Sequence, residues 1–241
     1  MPKYFLIGNW KSQGSTEEIH KFLSTIIRLS LPEHVRPVLC PPFVYLDLVK
    51  KRLPIGYSLG AQTCGIETKG AFTGEITASM LQDIGCGYVL IGHAERKESL
   101  EVLEQQMERA WEANLVPIFC LGEEAPSAWY SLAKKISYLS SLPASAPFYI
   151  AYEPIWAIGG KTPPSCGYLT QAFQYLKSHL KFTQGFIYGG GVRPENLKEI
   201  LDLNIFNGIL IGQASFQHAI WTMLLEILEI HGKVQSKTTL R

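Results

Sequence analysis

Four residues in this chain could do acid–base chemistry together, and each follows a short apolar run. Glu153 closes the run FYIAY and is followed at once by Pro154, then by Ile155-Trp156-Ala157-Ile158 and the pair Gly159-Gly160. Read physically, a buried strand delivers one carboxylate at its carboxyl end. The loop behind it has apolar bulk in its middle, a stiff proline at one hinge and permissive glycines at the other. An apolar loop tip makes sense on a surface when it closes over something and expels water there. His93 follows YVLIG, and Asn9 and Lys11 follow YFLIG. A lone histidine or lysine at a strand end is usually structural. Their joint occurrence opposite a carboxylate points instead to proton transfer with charge stabilisation.

Such residues must converge, and the rest of the chain says how. Strand-like runs stand at Tyr4–Gly8, Val35–Cys40, Tyr57–Gly60, Gly87–Gly92, Val116–Leu121, Phe148–Tyr152, Gly185–Tyr188 and Gly208–Ile211. Most are continuously apolar rather than alternating, the pattern of strands covered on both faces. Amphipathic stretches separate them: Ser15–Leu29, Phe43–Arg52, Ser79–Ile84, Leu100–Ala113, Ala128–Leu139, Gly167–Leu180, Pro194–Leu201 and Phe216–Ile230. The first opens with the capping box Ser15-Thr16-Glu17-Glu18, and Pro194 suits a first helical position. Strict alternation of this kind implies a parallel sheet, and eight units favour an α/β fold closed as a single-domain (β/α)8 barrel. An open doubly wound sheet is the competing architecture. In a barrel of this kind the carboxyl ends of the strands share one rim, where chemistry belongs. The barrel is expected over residues 1–231, with 232–241 a polar tail that frays.

Composition narrows the function classes. The chain has 241 residues, 46% hydrophobic and 18% charged, with 22 basic and 21 acidic side chains for a net charge of +1. That balance argues against nucleic acid or an anionic membrane as the main partner. Cys40, Cys64, Cys86, Cys120 and Cys166 form no CxxC pair, so neither a disulfide framework nor a metal site is expected. Cys120 reads as a packing residue. The amino terminus does not read as a signal peptide and no apolar run is long enough to span a membrane, which leads to the expectation of a cytoplasmic protein.

Seven motifs occur in order: GNWK at Gly8–Lys11, GAFTGE at Gly70–Glu75, IGHAERK at Ile91–Lys97, CLGE at Cys120–Glu123, YEPIWAIGGKT at Tyr152–Thr162, YGGGV at Tyr188–Val192 and GILIGQAS at Gly208–Ser215. Together they resemble the triosephosphate isomerase family over residues 3 to 231. The resemblance implies a cofactor-free interconversion of dihydroxyacetone phosphate and D-glyceraldehyde 3-phosphate through an enediolate. It makes Glu153 the base, and His93, Lys11 and Asn9 the catalytic groups that stabilise the oxyanion. Substrate would be held by Asn9, Lys11, Gly159, Gly191, Gly212 and Gln213, the phosphate chiefly through main-chain N–H groups. Glu95 would pair with Lys11 and Arg96 would brace the site. A short helical turn beginning at Ala94-Glu95 would aim its dipole at the His93 imidazole and disfavour the cation. The resemblance also implies a homodimer through the Gly70–Glu75 loop. The alternative is a non-catalytic barrel that binds a phosphorylated ligand; a Schiff-base aldolase would need a lysine within a strand, and the strand runs hold none.

The energetic need for convergence follows from the chemistry. A carboxylate and a carbon acid next to a carbonyl differ by on the order of ten pKa units, roughly 14 kcal/mol. One oxyanion donor supplies about 3–4 kcal/mol, so several must act at once. The chain departs from the family in five places. Glycine stands at 191 where serine is usual, Gln213 replaces a second glycine, and Ala94 replaces a serine that restrains the resting base. The closing loop reads AIGGKT, one residue short, and the aromatic-glycine-glutamate stretch after the histidine motif is missing, which would leave Arg96 without its customary acidic partner.

Overall fold

The computed structural model describes residues 4–159 and 163–238. Eight parallel strands, β1 (Tyr4–Asn9), β2 (Val35–Cys40), β3 (Ser58–Ala61), β4 (Cys86–Ile91), β5 (Val116–Leu121), β6 (Tyr149–Tyr152), β7 (Phe186–Tyr188) and β8 (Gly208–Ile211), pair in sequence order, and β8 closes back onto β1. The open doubly wound sheet is therefore excluded. After each strand comes a helix: α1 (Thr16–Ile26), α2 (Leu46–Arg52), α3 (Ala78–Asp83), α4 (Leu100–Glu112), α5 (Ala133–Ser141), α6 (Cys166–His179), α7 (Pro194–Asp202) and α8 (His218–Thr238). Short 3₁₀ turns at Phe43–Tyr45, Trp129–Leu132, Ile155–Ala157 and Gln213–Phe216 join strand to helix where the chain must bend sharply.

Continuous apolar strands are explained by two cores. Inside the barrel, Phe5, Ile7, Val38, Leu90, Ile118, Ile187 and Leu210 fill the axis. Between sheet and helices, the alternate strand residues Leu6, Leu39, Val89, Phe119, Ile150 and Ile209 meet the inner faces of the helices. Both faces of each strand thus leave water, and each fully buried Leu, Ile or Phe contributes about 1.5–3 kcal/mol. Interior filling makes the barrel a solid support rather than a pore.

Local signals set the helix starts. Ser15 accepts the Glu18 N–H at 3.3 Å while the Glu18 carboxylate accepts the Ser15 N–H at 2.8 Å, the reciprocal cap expected from the sequence. Ser99 and Ser165 cap α4 and α6 one-sidedly, each hydroxyl accepting an N–H of the first turn, and Pro194 opens α7. One end differs from expectation. The segment from Gly232, read as a fraying polar tail, continues α8 to Thr238; Lys233 pairs with Glu229 one turn back at 2.6 Å. Residues 239–241 lie outside the described residues.

Candidate active site

The carboxyl ends of the strands carry the site. Asn9 ends β1 with Lys11 two residues beyond, His93 stands two residues past β4, Glu153 directly follows β6, Gly189 follows β7, and Gly212-Gln213 follow β8. Closure of the sheet therefore brings to one rim residues that are up to two hundred positions apart, as a barrel with parallel strands must.

Three details orient the polar groups. The Asn9 amide oxygen accepts the Lys11 N–H at 3.1 Å, which leaves the NH₂ as the group that Asn9 can donate at the rim. Lys11 itself holds φ +55, a left-handed conformation that an unbranched L residue adopts only under local constraint. The constraint is Gln62, whose amide donates both to the Lys11 carbonyl at 2.8 Å and to the Cys40 carbonyl at 2.9 Å. Lys11 Nζ then meets Glu95 Oε1 at 2.5 Å, as the sequence reading expects.

His93 is buried, and its Nδ1 accepts the backbone N–H of Glu95 at 3.3 Å. The ring proton is thereby assigned to Nε2, which faces inward. No helix starts at Ala94. The segment is a single hydrogen-bonded turn, closed by Arg96 N–H to the His93 carbonyl at 2.9 Å. The expected helix dipole is thus replaced by one directed N–H, because the shortened chain reaches the Ser99 cap of α4 before another turn can form.

His93 Nε2 lies 3.7 Å from Glu153 Oε2, and both side chains are 6% exposed. Neither His93 Nε2 nor Glu153 Oε1 has a hydrogen-bond partner. Buried polar groups are almost always paired, so a carboxylate and an imidazole that lie 3.7 Å apart with an unpartnered atom on each stand out on this rim. Burial pushes the Glu153 carboxyl above the usual range, opposed by the His93 ring, the neighbouring Cys120 thiol and the Lys11 charge. A raised carboxylate is a stronger base, which suits it to take a proton from carbon.

Gly189 sets where that base sits. A Cβ built there would lie 2.5 Å from Glu153 Cγ and 2.9 Å from its Cδ. Any side chain at 189 would push the carboxylate off its position. Gly189→Ala should lower kcat on the order of a hundredfold, the scale of a misplacement of about 1 Å, with the melting temperature little changed. A kinetic assay of the purified variant checks this, and kcat near wild type would refute the positioning.

These parts suit a reaction that moves a proton between neighbouring carbons while a negative oxygen develops beside an imidazole N–H, an amide NH₂ and an ammonium. A family model described as triosephosphate isomerase matches residues 4–229. The triosephosphate isomerase of Alkaliphilus metalliredigens is 38% identical over 238 residues, covering 90% of this chain and 96% of that protein. That of Ehrlichia chaffeensis is 34% identical over 221 residues, covering 88% and 91%, and that of Hahella chejuensis 33% over 245 residues, covering 94% and 98%. The chain belongs to the triosephosphate isomerase family.

Within that family the chain's departures acquire physical reasons. Gly191 has φ +67, where a serine would be strained, and its carbonyl accepts the Asn196 amide at 3.1 Å from the first turn of α7. Gln213 starts a 3₁₀ turn and is exposed, so its side chain does not crowd the rim. Arg96 is not left without an acid: its Nε donates to Glu98 Oε1 at 2.8 Å, an acid that the shortened loop brings within two residues. With Ala94 in place of a serine, Glu153 rests instead beside His93 and the Cys120 thiol. Gly159 has φ +67 and open space around it, whereas Gly160, Lys161 and Thr162 of the closing loop lie outside the described residues.

Sequence reasoning assigned no role to Glu123, which proves to be the hub behind the site. This carboxylate is fully buried. It accepts the Trp156 indole N–H at 2.8 Å, the Tyr168 hydroxyl at 2.5 Å and the Tyr152 hydroxyl at 3.1 Å on each oxygen. Its backbone carbonyl also accepts the Ile155 N–H at 2.9 Å. The signal available beforehand was an acid two residues beyond an apolar strand in CLGE, with a tyrosine and a tryptophan flanking the next strand end in YEPIW.

Proposed function

We propose that this chain carries out triosephosphate isomerisation with Glu153 as the sole base, moving one proton between C1 and C2 of the triose. Glu153 takes a proton from the carbon next to the carbonyl, and the C–H electron pair forms the C=C bond of an enediolate while the carbonyl oxygen becomes anionic. His93 Nε2–H donates to that oxygen, the Asn9 NH₂ supports it, and Lys11 supplies a positive charge shared with the phosphate. Glu153 then returns the proton to the neighbouring carbon; the hydroxyl on that carbon gives up its proton as its oxygen becomes the new carbonyl, and the first oxygen is protonated through His93 Nε2, so that protons balance. Main-chain N–H groups at Gly159, Gly191, Gly212 and Gln213 hold the phosphate, with Glu95 and Arg96 supporting the rim from behind.

The carrying observation is the 3.7 Å approach of Glu153 Oε2 to His93 Nε2, with an unpartnered buried atom on each side chain. A coupled assay on the purified protein tests the whole reading: isomerase turnover is expected. A protein that binds inorganic phosphate but does not turn over would instead be the non-catalytic barrel.

We further propose a cytoplasmic homodimer. Among the described residues no helix is long and apolar enough to cross a membrane. The Gly70–Glu75 loop is exposed throughout, with Phe72 46% exposed and Met80 of α3 55% exposed. A protruding loop with a bare phenyl ring favours a covering partner. Sedimentation equilibrium should give twice the chain mass, and Phe72→Asp should shift it towards the monomer. A monomer for the unaltered chain at micromolar concentration would contradict this assignment.

A further inference from the structure

The two ends of the closing loop meet on one carboxylate. At the near end, the Trp156 indole donates to Glu123 Oε1 at 2.8 Å, and the Ile155 N–H donates to the Glu123 backbone carbonyl at 2.9 Å. At the far end α6 begins, and Tyr168 in its first turn donates its hydroxyl to the same Oε1 at 2.5 Å. That hydroxyl also accepts the Ser127 N–H at 3.1 Å, which ties it to the loop after β5, and the Tyr168 N–H donates to the Ser165 cap at 3.2 Å. The Tyr168 ring stands edge-on to Trp156, centroids 5.3 Å apart at 86°, and lies against Trp129 at 5.6 Å.

We infer that Tyr168 is a positioning residue for the closing loop, holding Trp156 through ring contact and through the shared acceptor Glu123. Burial and the Glu123 hydrogen bond raise the Tyr168 hydroxyl above its usual range, so it remains a donor across neutral pH. Glu123 is fully buried, and a buried anion that loses donors is strongly destabilised. Tyr168 therefore has two effects. It keeps Glu123 solvated by protein dipoles whether or not the indole is engaged, and it fixes the acceptor at the point the indole must find. The shortened loop makes such an anchor more valuable, since fewer residues separate Trp156 from the first turn of α6.

This inference rests on the reading of the segment after Glu153 as a loop that closes on the phosphate. Tyr168→Phe keeps the ring and removes the hydroxyl. Amide hydrogen exchange over 154–159 should accelerate roughly tenfold, the scale of one hydrogen bond to a charged group, with exchange in the barrel strands unchanged. The KM for dihydroxyacetone phosphate and the inhibition constant of inorganic phosphate should rise together by about five- to tenfold, with kcat within about twofold, because uniform binding is what is lost. Trp156→Phe removes the other side of the same clamp and should give the same pattern; it keeps the test open if Tyr168→Phe does not fold. In the double variant the two effects should fall well short of additive. A lower melting temperature with unchanged loop exchange would overturn the anchoring role, as would full additivity. Faster loop exchange with unchanged KM and inhibition constant would uphold the anchor and overturn the reading of the loop as a phosphate lid.

Discussion

Glu153→Gln should reduce kcat at least about a thousandfold, within the range that a positioned general base contributes, while leaving the barrel folded. Glutamine has nearly the shape of glutamate but cannot take a proton from carbon, and among the described residues no other carboxylate pairs with His93 Nε2: Glu95 meets the opposite nitrogen, Nδ1, at 3.7 Å and is 56% exposed. The same substitution makes a prediction about stability with a definite sign. Burial raises the Glu153 carboxyl above its unfolded value, so the folded protein binds the proton more tightly. Stability from this group is present below the usual carboxylate range and falls as pH rises through the raised folded value. At neutral pH the wild type carries that cost and the glutamine variant does not. Its melting temperature should equal or exceed that of wild type at neutral pH, with the difference shrinking in acid. The acid limb of kcat/KM in wild type should likewise have its midpoint above the ordinary carboxylate range. Activity above a few per cent of wild type in the variant would remove Glu153 from its role.

Lys11→Met should cost binding and chemistry together. Loss of one donor to a developing oxyanion lowers kcat by roughly a hundred- to a thousandfold. On the proposed reading the phosphate loses a full positive charge as well, so KM should rise by about tenfold or more. Methionine keeps the unbranched stem and tolerates φ +55 no worse than lysine, so the backbone held by Gln62 should not move. The released Glu95 is more than half exposed, and water replaces its partner at little cost. Steady-state kinetics decide the matter, and an unchanged KM would contradict the place of Lys11 beside the phosphate.

The sequence by itself determined the barrel and the rim. Continuous apolar runs of four to six residues report burial on both faces, a property each strand carries locally. Strict alternation with capped helices then leaves closure as the economical arrangement. Asn9, Lys11, His93 and Glu153 were legible because each sits at the carboxyl end of a strand or within two residues of it, where position along the chain fixes position on the rim. The Lys11–Glu95 pair was legible for the same reason, both partners being rim residues.

What only the tertiary structure decided are contacts between residues far apart in sequence, or dependent on how a shortened connection runs. The acid beside Arg96 is Glu98, two residues on, a pairing that depends on how the connection after His93 turns. The His93 tautomer is set by one amide in a turn that periodicity does not reveal. Glu123 looks like a stray carboxylate until Tyr152, Trp156 and Tyr168 are seen to converge on it, and no spacing rule links position 123 to 168. A strand announces itself through its own residues, whereas the solvation of a buried charge is supplied by whichever donors the fold brings to it.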